Sequence, residues 1–132
     1  MVMTLPYPPS VNHYWRRVGP RTLISREGRT FRQNVCALLG RGGQRRPPNG
    51  GRIAVALDAF PPDHRRRDLD NIQKPVLDAL EHAGVYVDDS QIDLLITRRQ
   101  EAVLGGKLMV TVLNLPLLRC PFCGGSMNPI QP

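Results

Sequence analysis

The sequence of 132 residues contains no apolar run near the roughly 20 residues that a membrane-spanning helix needs. Only 5% of its residues are aromatic. Its cysteines number three, and an odd number excludes a fully paired disulfide framework. The first ten residues, MVMTLPYPPS, lack the basic flank and the continuous apolar core of a secretory signal. We therefore expect a protein of the cytoplasm that keeps its thiols reduced.

Acidic residues are scarce in the first half of the chain. Residues 1–60 carry ten Lys and Arg against two Asp and Glu, whereas residues 61–132 carry eight against nine. Seven of these nine acids fall between Asp68 and Asp93. The net charge of +7 favours a polyanion such as nucleic acid, but clustered carboxylates would repel that polyanion unless cations neutralise them. The contrast predicts bound metal ions.

Hydrophobic periodicity predicts a small α/β domain. The length suits one domain, and 41% of the residues are hydrophobic, which is typical of a globular protein. Alternation of apolar residues predicts strands at 2–7, 53–60, 91–103 and 107–113, with a short extended run at 85–87. Gly105-Gly106 is predicted to form the turn of a final hairpin. We expect a sheet of about four strands, mixed or antiparallel, packed with two helices over residues 1–114, and a tail at 115–132.

The two helices are predicted from apolar residues at helical spacing. Residues 26–39 follow a plausible N-cap, Ser25, and are ended by glycines. The second helix follows Asp70 and ends at Gly84. Pro75 lies inside it, so the regular helix begins either near Lys74 or at Asn71 with an irregular first turn.

The stretch RRRDLDNIQKPVLDALEHAGVYVDD (residues 65–89) carries the candidate chemistry. Asp68 and Asp70 would share a face in an extended chain, and Asp89 or Asp88 could supply a third carboxylate. Oxygen ligands of this kind suit Mg²⁺, which screens a phosphodiester and activates water. Lys74 is suited to stabilising negative charge on the phosphate. The structural alternative is that Asp68 or Asp70 caps the helix and that the second pair only forms a turn.

Aromatic and basic residues in two segments are candidate nucleic-acid ligands. The segment SVNHYWRRVGPRTLIS is predicted to be a loop in which aromatic rings stack on bases and arginines hold phosphates. Alternatively, Trp15 covers the edge of the core and the arginines are solvated. The stretch GRGGQRRPPNGG (residues 40–51) is predicted to be a mobile loop. The candidate nucleic-acid-binding residues are Asn12, Tyr14, Arg16, Arg17, Arg65, Arg66 and Arg67.

The combination of LPYPPSVNHYWR, RTLISREGRTFRQNV and RRRDLDNIQKPVLDAL…AGVYVDD resembles the RusA-type Holliday junction resolvases, over most of residues 3–113. The resemblance implies a homodimeric, Mg²⁺-dependent α/β endonuclease, also served by Mn²⁺, that cuts four-way DNA junctions by paired nicks in a bacterial or phage-infected cell. It implies that Asp68, Asp70 and Asp89 bind the metal and that Lys74 is a catalytic lysine. It also implies that Asp88 is a supporting acid and that Arg67 helps to hold DNA.

The chain departs from the family pattern at Pro75 and in the tail, which contains RCPFCGG. Cys120 and Cys123 have the spacing of half a zinc site, which would need two more ligands, from Cys36, a histidine or a second subunit. We favour reduced thiols in a flexible tail over a Zn²⁺ site. Two other functions stay open at this stage. They are a basic nucleic-acid-binding module that does not cut, with or without zinc in its tail, and a nuclease that acts on RNA.

Overall fold

The computed structural model describes residues 1–41, 51–115 and 122–126, and these ranges hold two sheets and three α-helices. The described helices are neither long nor apolar enough for any of them to cross a bilayer. The predicted small α/β domain with a mixed four-stranded sheet is confirmed. In chain order the elements are β1 (Val2–Leu5), α1 (Val11–Tyr14), β2 (Trp15–Val18), β3 (Arg21–Ile24), α2 (Arg26–Arg41), β4 (Ile53–Phe60), α3 (Asp70–His82), a 3-10 helix (Asp89–Gln91), β5 (Ile92–Arg99) and β6 (Lys107–Asn114).

The main sheet has the strand order β1-β6-β4-β5. β6 runs antiparallel to both β1 and β4, whereas β5 runs parallel to β4. The predicted final hairpin is therefore wrong, because β4 lies between β5 and β6. A strand, a helix and a strand in succession are typical of a parallel pair joined by a crossover helix, and β4, α3 and β5 form that unit.

The two glycines that were predicted to form a hairpin turn lie in the connection between β5 and β6, which passes the end of β4. Gln100 N–H donates to the Ala59 carbonyl at 2.8 Å, and Val103 N–H donates to the Pro61 carbonyl at 2.9 Å. Gly105 and Gly106 both have positive φ, which favours glycine. The turn was thus placed correctly, but the strands that it joins are not neighbours.

The hydrophobic core lies on one face of the main sheet. The strongly apolar residues at alternate positions of β4 and β6 are buried, and so are the apolar residues that recur at helical spacing along α3. Alternation in the strands and the 3.6-residue period in the helices explain this arrangement. The core residues from these three elements are Ile53, Val55, Leu57, Leu108, Val110, Val112, Ile72, Val76, Ala79 and Leu80.

Strand β5 does not keep the predicted alternation. The register with β4 shifts between Ile53 and Ala54, so that Ile92 and Leu95 pack against the core while Leu94 and Ile96 point to the opposite side. The bulge makes one residue change face. Apolar side chains therefore also occupy the second face of the sheet, which we call the open sheet face. It is formed by Val2, Ala54, Ala56, Leu94, Ile96, Met109 and Leu113.

The segment after β1 is more ordered than the predicted loop. β2 and β3 pair as an antiparallel hairpin whose turn includes Gly19 at φ +58°. The predicted N-cap of α2 is confirmed, since Ser25 Oγ accepts a hydrogen bond from Gly28 N–H at 3.0 Å. Ser25 N–H also donates to the Tyr14 carbonyl at 2.8 Å, which fixes α1 against the start of α2.

Helix α3 begins one residue before the earlier of the two predicted starts. Its first turn is irregular as expected, because Asn71 N–H bonds the Asp68 carbonyl at 3.2 Å, three residues back. Gly84, at φ +77°, follows the helix and confirms the predicted stop. Residues 85–87 form bends rather than the predicted extended run.

Two predictions lie wholly or partly outside the described residues. The predicted loop at 40–51 falls mostly in residues 42–50, although Gly40 and Arg41 belong to α2. Cys120 also lies outside, so the cysteine pair stays a prediction. Cys123 is an exposed free thiol and Cys36 a partly buried one.

Candidate active site

Lys74 and Asp89 meet at the surface between α3 and the 3-10 helix. Lys74 Nζ lies 3.4 Å from Asp89 Oδ2 and 3.0 Å from Asp78 Oδ1. Asp78 follows Lys74 by one helical turn, a spacing that brings two side chains together on a helix surface. The structure thus joins two predicted site residues, Lys74 and Asp89, and adds a second carboxylate, Asp78.

The two carboxylates keep Lys74 charged. The hydrogen bond to Asp78 raises the pKa of the lysine most strongly, partial burial opposes that change, and the charges of Asp78 and Asp89 raise it further. A raised pKa favours the ammonium form. Lys74 is therefore suited to stabilising negative charge, and unsuited to accepting a proton.

Asp89 is held in place by the turn that precedes β5. Asp88 caps the 3-10 helix by accepting a hydrogen bond from Ser90 N–H at 2.7 Å. Hydrogen bonding by the Ser90 side chain, and then by its backbone N–H, lowers the pKa of Asp88. Gln91 is buried, accepts from Val87 N–H at 2.8 Å and donates to the Gly51 carbonyl at 2.8 Å. Asp89 thus projects from a fixed turn, and Asp88 has the geometry of a supporting residue.

Asp68 and Asp70 flank the start of α3 with exposed side chains. Leu69 between them is helical, with φ −64° and ψ −34°, so the argument that both aspartates point to one side of an extended chain was wrong. Asp70 lies one turn before Lys74 on the same helix, which places these two side chains on one face. Asp68 instead lines a cavity of about 450 Å³ together with Tyr7, Pro8, Ser10, His13, Arg66, Arg67, Asn71 and Ile72.

In the part of the chain that the structure describes, no three His, Cys, Asp or Glu side chains lie close enough together to hold a metal ion. The predicted metal-binding carboxylates Asp68, Asp70 and Asp89 are thus not assembled into a protein cage. Their chemistry nevertheless fits a hard divalent cation, since Mg²⁺ takes oxygen ligands and keeps several waters beside one or two carboxylates. The donor set therefore suits an ion that a DNA phosphate helps to hold.

Arg67 is tied to the protein. Its Nη1 donates to Asp63 Oδ1 at 2.6 Å, and its guanidinium lies 5.8 Å from the centre of the Tyr7 ring. The Arg67 hydrogen bond lowers the pKa of Asp63 to about 2, and the backbone N–H of Arg65 contributes in the same direction. These contacts hold the Arg67 side chain in place next to Asp68. Its guanidinium is therefore less available to DNA than those of Arg65 and Arg66.

The other predicted nucleic-acid ligands divide into exposed and buried residues. Arg65 and Arg66 are exposed before α3, and Arg16 and Arg17 are exposed on β2. Asn12 is also exposed, on α1. Tyr14 has no exposed surface, so its ring is not available to stack on a base in this structure. Its position beside Arg16 and Arg17 suggested a ring that stacks on bases, but α1 places the Tyr14 side chain in the core.

Two residues that position the site escaped the sequence analysis. Asp78 had a usable signal, because an acid four residues after a lysine in a helix commonly pairs with it. Gln91 had one too, since Asp88 with a glutamine three residues later matches the pattern in which two side chains cap each other's backbone. Both signals describe local contacts and became meaningful only once the turn lay beside α3.

The chain matches known proteins over most of its length. The family model "Endodeoxyribonuclease RusA" matches residues 6–112. The chain is 42% identical over 111 residues to a crossover junction endodeoxyribonuclease of Enterobacteria phage HK97, covering 84% of this chain and 92% of the relative. It is 37% identical over 113 residues to that of Enterobacteria phage 82 and 36% identical over 117 residues to that of Escherichia coli K12, in both cases covering 86% of this chain and 93% of the relative. The chain therefore belongs to the RusA endodeoxyribonuclease family.

Proposed function

We propose that this protein is a divalent-metal-dependent DNA endonuclease that resolves four-way junctions by paired nicks. The observation that carries the proposal is the meeting of Lys74 with Asp89 beside the start of α3, in a chain that matches endodeoxyribonucleases over residues 6–112. The match includes both aspartates at the start of α3. It favours a cutting enzyme over a module that only binds nucleic acid.

The site residues act on the scissile phosphate in different ways. Asp68, Asp70 and Asp89 would hold Mg²⁺ or Mn²⁺, which lowers the pKa of water and screens the phosphate when bound. Asp89 contacts Lys74, and Asp70 lies one helical turn before it, so a phosphate bound between these carboxylates would face the ammonium group. Lys74 stabilises the negative charge that collects on the phosphate oxygens during the cut. Asp78 keeps the lysine in position.

The basic surface supplies the contacts that hold DNA. Arg65 and Arg66 precede the site, and the side chain of Arg65 is 85% exposed. Arg16 and Arg17 present two further charges on the hairpin β2–β3. Contacts of this kind grip phosphates and sense branch shape without reading sequence. A DNA substrate of this type places the enzyme in the cytoplasm of a bacterium or a phage-infected cell.

Paired nicks require two active sites, and the open sheet face offers a surface for a second copy of the chain. Leu94, Ile96 and Met109 lie partly exposed there, while Val2 and Leu113 are 57% and 39% exposed. The face also carries the Asp58–Arg98 ion pair, and a partly exposed apolar patch beside polar residues is typical of an association surface. A homodimer formed through it would match the approximate two-fold symmetry of a four-way junction.

The test is to incubate the purified protein with a synthetic four-way junction or a linear duplex, with and without Mg²⁺. We expect Mg²⁺-dependent nicking of the junction in preference to the duplex. Asp70→Asn should keep junction binding but slow nicking by about 100-fold or more, because a carboxylate that would hold the metal ion is lost. Glu101→Gln removes an equal charge from an exposed site and should cut normally.

Three outcomes would count against the proposal. Binding without any cutting would indicate the non-catalytic module, with or without zinc in its tail. Preference for a matched branched RNA would indicate an RNA nuclease. Equal nicking of junction and duplex would remove the selectivity for four-way junctions.

A further inference from the structure

A cavity at the far end of α3 is lined by cationic side chains that the proposed catalytic steps do not use. It has a volume of about 400 Å³ and lies between α2 and the last turn of α3. We propose that this cavity, the α2–α3 cleft, binds a phosphate group of the DNA substrate at a distance from the cut, an inference that rests on the proposed function. The cleft is lined by Ile24, Arg29, Arg32, Gln33, Cys36 and His82.

The charge of the cleft suits an anion. Its lining holds two guanidinium groups, one imidazole and one carboxamide, and includes no carboxylate. Among the described residues, neither Arg29 nor Arg32 forms a salt bridge. Arg29 Nη1 donates to the Ile24 carbonyl at 3.1 Å, which anchors this side chain at the cleft and leaves other donors of its fork available. Guanidinium groups are well matched to phosphate oxygens.

Buried polar atoms next to the cleft lack partners. In the described part of the chain, Arg32 Nε and the Tyr14 hydroxyl are buried without a hydrogen bond. The Tyr14 residue has no exposed surface. Burial raises the pKa of its hydroxyl, and the nearby Arg32 side chain opposes that change. Arg32 as a whole is only partly buried, so its guanidinium keeps donors that can face the cleft, and it makes no salt bridge among the described residues. A phosphate in the cleft would supply the missing negative charge to Arg32.

The cleft lies on the same stripe of α3 as the catalytic lysine. Lys74, Asp78 and His82 follow one another at four-residue steps, so they occupy one face of the helix. His82 lies eight positions after Lys74, which corresponds to about 12 Å along the helix axis. Successive phosphates of one DNA strand advance about 3.4 Å each along the duplex axis. A strand that is cut beside Lys74 and whose duplex axis follows α3 would therefore reach the cleft within three or four phosphates.

The decisive experiment compares Arg29→Gln with Arg26→Gln. Both changes remove one exposed arginine from α2, but only Arg29 lines the cleft. Junction affinity is measured at several NaCl concentrations without Mg²⁺, so that no cutting occurs. We expect the slope of log affinity against log salt to fall in magnitude by about 0.9 for Arg29→Gln, the value for one lost phosphate contact, with no change for Arg26→Gln. Equal slopes for the two variants would overturn the proposal.

A second measurement separates DNA phosphate from free phosphate. Inorganic phosphate is titrated into the DNA-free protein while the NMR signals of the Arg29 and Arg32 side chains are followed. Shifts in the wild type that disappear in Arg29→Gln would support an anion site in the cleft. Such shifts combined with an unchanged salt slope would assign the cleft to free phosphate and overturn the DNA contact. Because these readouts are binding constants, a wild-type protein that binds junctions without nicking them would fail the proposed function and leave this inference testable.

Discussion

Asp78 is the residue whose loss should separate DNA binding from cutting. It holds Lys74 at 3.0 Å from within α3, while Asp89 approaches the same ammonium at 3.4 Å from another element. The side chain of Asp78 is only 16% exposed, so its carboxylate has little freedom to move. The lysine is therefore fixed mainly by Asp78, and the more exposed Asp89 is the carboxylate that can turn towards an ion.

We expect Asp78→Asn to slow single-turnover nicking of a four-way junction by about 10-fold, the lower end of the range for partners that orient site groups. Junction affinity should stay within about twofold of the wild type, because Asp78 itself offers no contact to DNA. Glu81→Gln, which removes an acid from the next turn of α3, serves as the control. Wild-type nicking by Asp78→Asn, or a parallel loss of affinity, would show that the aspartate does not position Lys74.

Asp63 provides a residue whose titration can be followed directly. Its pKa is lowered from 3.8 to about 2 by the hydrogen bond from Arg67 and by the backbone N–H of Arg65. Because the pKa is lower in the folded state, this ion pair stabilises the fold above about pH 4, and its contribution is lost as the pH falls towards 2. NMR titration should show the pKa of Asp63 moving up in Arg67→Met and staying at about 2 in Arg66→Met. An unchanged pKa in Arg67→Met would contradict the assigned cause.

Single residues were predictable from the sequence where the chemistry is local. The cap at Ser25 and the carboxylate beside the lysine follow from neighbours within four positions, although only the cap was predicted. Burial of Tyr14 was not predictable in the same way. It depends on where α1 packs between α2 and α3, which the residues around Tyr14 do not specify.

At the level of elements, the junction of α1, β3 and α2 depends on the absence of a side chain at Gly28. A β-carbon there would lie 2.5 Å from the backbone oxygen of Tyr14 and 2.9 Å from a side-chain carbon of Ile24. The first contact is with backbone that Ser25 N–H also binds, so it cannot move aside without breaking a hydrogen bond. Gly40, near the other end of the same helix, has no atom within 4 Å of its added β-carbon.

These two glycines allow a matched test. Gly28→Ala should lower the free energy of unfolding by about 1–3 kcal/mol, the cost of forcing an extra carbon into a packed site. Gly40→Ala should raise it by about 0.5–1 kcal/mol, because alanine favours the helix and restricts the unfolded chain. Urea denaturation of both variants measures the difference. Equal effects would show that α1 does not press on Gly28.

Elements were predicted better than their pairing. The bounds 53–60 were predicted correctly, because every second residue of β4 up to Leu57 is strongly apolar. The prediction of a final hairpin was wrong, because a turn with two glycines also occurs in connections between strands that are not neighbours in the sheet. Distinguishing the two required the knowledge that β5 pairs with β4, a contact between residues about 40 positions apart.

The distribution of charge organises the molecule as a whole. The acids of residues 68–93 collect around α3 and the turn before β5, whereas β2 and α2 present arginines. The sequence predicted this basic body with a local acidic site. It did not predict the α2–α3 cleft, because a cavity depends on the distance between two helices.

The open sheet face provides the last test, since the proposed paired cutting requires two copies of the chain. Ile96 lies on the edge strand β5, pairs with Ala56 on that face and is partly exposed, so an aspartate there would place a charge within the proposed interface. We expect Ile96→Asp to run as a monomer in light scattering at micromolar concentration, and to give single nicks without paired cuts. Leu104→Asp is the control, because Leu104 is fully exposed in the connection between β5 and β6. This variant should stay dimeric. A monomeric wild type would refute the dimer, and a dimeric Ile96→Asp would place the interface elsewhere.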